Sequence, residues 1–312
     1  MKLDLKLQLT IFHGAILILG VGVLAALQIS MPVLGIALLM TPAFIALFTR
    51  TYGLKQSVIL ISILTLLLAL LPSTDWLNVI CFYGPVGLAL GEKRLMNLTG
   101  VYQVGISIGT AFVGSILWYN VISFLYTGRD LIDLMIDGMK ASLANKEFMS
   151  MITSAYGEIP AGLEGEILDM TLRIMPSMLF MIALVFVLLN AFLLRFGIRI
   201  TRTHKNVLPL NLELPRETLN LATVLLLGSL IVRVFDDVLG QTLLQNCILM
   251  LMVVFSIQGI IVLSHLLKAN KVNQVGRFVA IILAMLFLQI FGLSVLGWLD
   301  LLIGIRRRFG EQ

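Results

Sequence analysis

The sequence predicts an all-α protein, a polytopic bundle of transmembrane helices. Three observations carry this. Hydrophobic residues make up 59% of the 312-residue chain and charged residues only 12%, where soluble domains carry about 25% charged. Several apolar runs reach the roughly 20 residues that an α-helix needs to cross a hydrocarbon core about 30 Å thick. None of these runs alternates apolar with polar residues, as the strands of a membrane barrel do. The mean hydropathy of +1.02 agrees. The net charge of +5 fits the cytoplasmic loops of a polytopic protein, where Lys and Arg accumulate, so the lipid bilayer is the expected partner and nucleic acid is not.

Nine apolar runs follow one another, at about 9–29, 33–49, 55–72, 76–91, 99–126, 171–195, 218–235, 239–266 and 277–297. The first follows a basic tip and is longer than the roughly 7–15-residue core of a signal peptide, so it reads as a retained helix. The fourth is interrupted at "CFYGPVG", where Pro85 lacks a helix donor and Gly84 and Gly87 loosen the backbone. The fifth places Gln103, Ser107 and Thr110 on one side, next to a Gly105-x-x-x-Gly109 pair that lets a neighbouring helix approach closely. Arg233 closes the seventh with Asp236 and Asp237 at the spacing of a helical ion pair. In the ninth, Gly292 and Gly297 offer helix breaks and Trp298 suits the membrane interface.

Basic residues mark every second connection: Lys2 and Lys6, then Arg50 and Lys55, Lys93 and Arg94, Arg195 to Lys205, and Lys268 to Arg277. The N-terminus is therefore expected in the cytoplasm. The long connection at about 128–168 falls outside and is acidic, and its Leu131, Ile132, Met135, Ile136 and Met139 recur at helical spacing. A lid over a substrate mouth and a plain solvated insertion both fit it, the second being simpler. Nine spans would place Arg306, Arg307 and Arg308 outside, against the rule the other loops obey. Either the chain turns back as a half-helix, the favoured reading, or it continues outward as an interfacial helix. Asp300 reaches these arginines only if the terminus folds back.

Chemistry-bearing motifs are sparse. There is no G-x-x-x-x-G-K-[ST] phosphate loop and no H-E-x-x-H, and His13, His204 and His265 are scattered. No enzymatic activity, cofactor or metal is expected. Cys81 and Cys247 lie in apolar segments and read as small buried thiols. Polar groups inside apolar runs are more telling, because lipid offers them no partner. On the eighth run Asn246 and Ser264 share one helical face while Gln258 lies with His265 on another, a spread that suits a hydrogen-bonding seam to two neighbours better than one ligand-lining stripe. The candidate substrate-binding set is Asn78, Tyr83, Gly84, Pro85, Gln103, Ser107, Asn246 and Gln258.

A first helix rich in small residues leads through "ISMPVLGI" into "ALLMTPAFIALFTRTYGLKQSVILISILTLLLALL" and then "YGPVGLALGEKR". In this order, the first two hundred residues resemble the six-helix membrane fold of the substrate-binding S components of energy-coupling-factor vitamin transporters. With "LELP" near Pro215, "SIQGIIVLSHLL" from Ser256 and the closing "LGWLD" and "RRR", the whole chain is similar to the YybS-like family of predicted bacterial membrane proteins of unknown function. The resemblance implies an S-component-like core over residues 1–200, with its acidic insertion at about 128–168, and a helical extension over 201–312. It implies a protein of the bacterial inner membrane that captures an unknown small molecule for an energy-coupling transmembrane subunit and its ATPases. Gly22 and Ala26 stand where S components carry the Ala-x-x-x-Ala pattern that docks this subunit. Capture predicts a cavity bounded by the fourth and fifth helices and the loop Met31–Leu34. The competing role, a scaffold recruiting envelope or division proteins, predicts a filled core whose polar residues pair with one another.

Overall fold

A computed structural model describes residues 5–30, 35–71, 75–92, 100–129, 131–144, 150, 154, 163–201 and 214–309. Every regular element among them is helical. In chain order they are α1 (Leu5–Ser30), α2 (Gly35–Leu38), α3 (Thr41–Tyr52), α4 (Leu54–Leu68), α5 (Asp75–Asn78), a π-turn (Val79–Tyr83), α6 (Gly84–Gly91), α7 (Gly100–Thr127), α8 (Leu131–Ala144), α9 (Leu163–Thr201), α10 (Glu217–Phe235), α11 (Asp237–Ala269), α12 (Gln274–Phe287), α13 (Gln289–Ile303) and α14 (Ile305–Phe309). Five helices, α1, α7, α9, α10 and α11, are individually long and apolar enough to cross a membrane, and α12 with α13 makes a sixth if that bent pair counts as one span. The runs at 33–49, 55–72 and 76–91 form shorter helices instead of the three full spans expected. Exposed Leu66, Phe124, Val185 and Val224 suit a surface turned to lipid chains.

The chain forms two units, residues 1–168 with 182–210, and residues 169–181 with 211–312. In the first, Pro42 occupies the first turn of α3, where its missing N–H costs nothing. Gly53, at φ 95°, ends that helix and lets α4 start at once. The interrupted fourth run resolves into α5, the π-turn and α6, with Pro85 in the first turn of the restarted helix. Its glycines are a packing face. A β-carbon at Gly87 would stand 2.7 Å from Ile45, and one at Gly91 would stand 2.5 Å from the Ala46 carbonyl, so α6 lies backbone to backbone on α3. Gly114 plays the same part on α7, where a β-carbon would stand 2.1 Å from the Cys81 carbonyl. Gly105 and Gly109, expected to receive a neighbouring helix, have nothing within 4 Å of that position; the close approach on α7 falls at Gly114.

The second unit is organised around α11. Asp236 accepts from the Leu239 amide at 2.9 Å and caps that helix, while Arg233 pairs with Asp237 at 2.9 Å on the surface. Gly240 sits 2.1 Å from the Arg233 backbone, measured from where a β-carbon would be, which permits the tight hairpin between α10 and α11. Helix α13 runs antiparallel to α11. A β-carbon at Gly259 would stand 2.0 Å from the Leu293 carbonyl, and one at Gly297 would stand 2.0 Å from the Phe255 carbonyl. The break in the last apolar run therefore does not fall at Gly292 or Gly297, which lie inside α13. It falls between Leu288 and Gln289, where Gln289 adopts φ 54° and the two helices meet at 112°.

The acidic connection contains α8, with Arg129 bridging to Asp137 at 2.7 Å on its exposed side. Most of the remaining connection and the loop Met31–Leu34 lie outside the described residues.

Candidate functional site

A groove of about 670 Å³ lies in the first unit between α1 and α3. Its walls are apolar, with Ile16, Val21 and Leu24 on one side and Phe44 and Phe48 on the other. Gly20 contributes width, since nothing stands within 4 Å of its missing β-carbon. One end is polar. His13 and Tyr52 hydrogen-bond to each other there, and Thr51 completes the lining. The Tyr52 hydroxyl donates to the Leu9 carbonyl at 3.4 Å, and the imidazole tautomer sets the direction of its bond with His13 Nδ1. Its ring packs on Phe48, with centroids 4.7 Å apart. The groove has the size and lining of a site for a small molecule: mostly apolar, with a few polar groups gathered where they orient the ligand.

The second unit holds two buried polar clusters. Pro176 lies inside α9, where a proline cannot complete the helical ladder. The Asn246 amide enters the break, accepting from the Ser177 N–H at 2.9 Å and donating to the Arg173 carbonyl at 2.6 Å. Those two backbone groups would otherwise bond to each other, so Asn246 replaces a missing rung. In the other cluster, Gln258 accepts from the Leu214 N–H at 3.0 Å and donates to Asp300 at 2.9 Å. Gly304 ends α13 in the left-handed conformation, and the chain curls so that the Arg306 N–H and Nε reach Asp300 at 3.0 Å and 2.8 Å. This pairing needs only the Gly304 turn, not a return of the whole terminus as expected.

Residues 21–301 match the family model described as a predicted membrane protein, DUF2232. The chain belongs to the DUF2232 family. No curated protein and no solved structure matches it.

The structure places the predicted site residues of this DUF2232 chain in several locations. Tyr83 is buried and stacks with Phe186 at 5.9 Å, and Phe82 beside it packs on the same ring at 4.4 Å. Asn78 donates to Asp75 at 3.5 Å. Gly84 and Pro85 open α6, and a β-carbon at Gly84 would stand 2.6 Å from the Val79 carbonyl. Gln103 reaches the last carbonyls of α6, donating to Leu90 at 2.9 Å, and Ser107 bonds back to Gln103 within its own helix. Among the described residues these side chains bond within the protein, and the groove between α1 and α3 is a different place from the cavity expected beside the fourth and fifth helices. Gly22 has open space at its β-carbon position and Ala26 is exposed.

Asn190 escaped sequence reasoning. Fully buried on α9, it accepts from the Ala43 N–H at 3.0 Å, a donor it shares with the Met40 carbonyl, and donates to the Leu39 carbonyl at 3.0 Å, which ties α9 to the first turn of α3. The available signal was a lone amide in the apolar stretch "FVLLNAFLL".

Proposed function

We propose that this DUF2232 protein holds an amphipathic small molecule in the groove between α1 and α3, as the capture or transport component of a membrane system with separate energising partners. The observation that carries the reading is the groove itself, about 670 Å³ with apolar walls and His13, Thr51 and Tyr52 at one end. A ligand with an apolar body and one hydrogen-bonding head fits that distribution. The resemblance to S components supports it from a second direction. A photo-crosslinking residue at Leu24, in the groove, should yield a discrete small-molecule adduct by mass spectrometry of bacterial membranes. The same residue at Leu19, which is exposed away from the groove lining, should yield only phospholipid adducts. The same lipid distribution at both positions would count against a bound ligand.

The scaffold reading draws on the second unit, where Asn246 and Gln258 both spend their amides on protein groups. A role for that unit in packing sits comfortably beside a ligand site in the first.

Membrane orientation follows from charge. Arg306 is joined through Asp300 and Gln258 to Leu214, just ahead of α10. That helix follows the basic stretch Arg195 to Lys205, so the C-terminal arginines belong on the cytoplasmic side with it. A green fluorescent protein fused after Gln312 should fluoresce and alkaline phosphatase at the same position should be inactive; the reverse pattern would place the terminus outside.

A further inference from the structure

Arg50, in the last turn of α3, is 1% exposed, and its Nε, Nη1 and Nη2 have no hydrogen-bond partner among the described residues. A guanidinium carries five N–H donors and does not lose its proton in a protein. Burying it without an acceptor is among the least favourable arrangements a fold can adopt, and such a group calls for a specific explanation.

The surroundings are incompletely satisfied. Gly91, at the end of α6, lies against Ala46 and Thr49 of α3, so the last turns of the two helices adjoin. Gln103 donates to carbonyls of this same turn of α6, while its buried Oε1 has no partner among the described residues. Arg195 on α9 also has a buried Nε without one; it lies two residues before Gly197, whose missing β-carbon would stand 3.7 Å from Leu47 of α3.

We propose that Arg50 is the centre of an oxyanion site of the phosphate class at this end of the first unit. A phosphate group supplies the planar fork with two acceptor oxygens, the geometry arginine binds best, and an attached hydroxyl or water supplies a donor to Gln103. The phosphate comes either from solution or from the headgroup of an anionic lipid. The site stands on Arg50, independently of the groove between α1 and α3.

The test follows thermal unfolding of the full chain purified in maltoside detergent. One arm replaces chloride by inorganic phosphate at constant ionic strength. The other compares nanodiscs of phosphatidylcholine alone with nanodiscs containing phosphatidylglycerol. Phosphate or the anionic lipid should raise Tm by about 3 °C or more in the wild type, and the arm that responds identifies the source. Lys55→Gln should keep the shift and Arg50→Met should lose it. Arg50→Lys, which keeps the charge but not the fork, should show a reduced shift and stands in if the methionine variant does not fold. Three results would overturn the site: no shift in either arm; an undiminished shift in Arg50→Met; or Glu92→Gln lowering Tm only when Arg50 is present, which would make Glu92 the counter-ion.

Discussion

Replacing Gly297 by leucine is expected to destabilise the second unit by about 3 kcal/mol or more, because the new side chain has nowhere to go. Its β-carbon would stand 2.0 Å from the Phe255 carbonyl and 2.8 Å from the Gly259 nitrogen. Both are backbone atoms of α11, so relief requires the two helices to separate. Separation would also draw Asp300 and Arg306 away from Gln258. Gly259→Leu should behave alike from the opposite helix. Gly105→Ala and Gly109→Ala meet open space and should change stability by no more than about 0.5 kcal/mol. Thermal unfolding and gel filtration in detergent measure both pairs. Equal tolerance at all four positions would refute the close crossing of α11 and α13.

The second large effect is expected at Asn246. Leucine in its place leaves the Ser177 N–H and the Arg173 carbonyl without the partner they now share, at a cost of about 2–4 kcal/mol for two buried backbone groups. The expected rescue is specific. With Pro176→Ala the helix can close, Ser177 can bond to Arg173 directly, and much of the lost stability should return. If Asn246 instead served mainly to contact a ligand, Asn246→Leu would leave the thermal stability of the purified protein nearly unchanged and Pro176→Ala would bring no recovery.

The overall class was legible in the sequence because bilayer thickness translates directly into run length, and composition alone removes the soluble alternatives. The Arg233–Asp237 pair was legible for a similar reason, since helical spacing places the two side chains together. The seam reading of the eighth run also came through, as its two polar faces serve two different sets of partners. The glycines misled. Gly297 resembled a break and is a contact, whereas Gly105 and Gly109 resembled a contact and face open space. A glycine permits both flexibility and close approach, and only the neighbouring helix decides between them. The real break occurs at Gln289, whose left-handed backbone nothing in its residue type announces. The groove was equally hidden, because its walls use the same leucines, phenylalanines and valines that face lipid elsewhere. Asn190 and Arg50 carried a visible signal as polar residues in or beside apolar runs, but the partners of Asn190 come from a segment far away in sequence, and the Arg50 guanidinium has no protein partner among the described residues.

The most direct test of the proposed capture role is native mass spectrometry of the wild type and Gly20→Trp, each gently purified from bacterial membranes, recording released small molecules and co-purifying proteins. Gly20 lines the groove and has room for a larger side chain, so the tryptophan should fill the site without disturbing the fold. The wild type should release one amphipathic compound in stoichiometric amount, and Gly20→Trp should release none while unfolding at an unchanged temperature. Envelope proteins recovered with both forms, and no small molecule with either, would contradict capture and assign the protein to scaffolding.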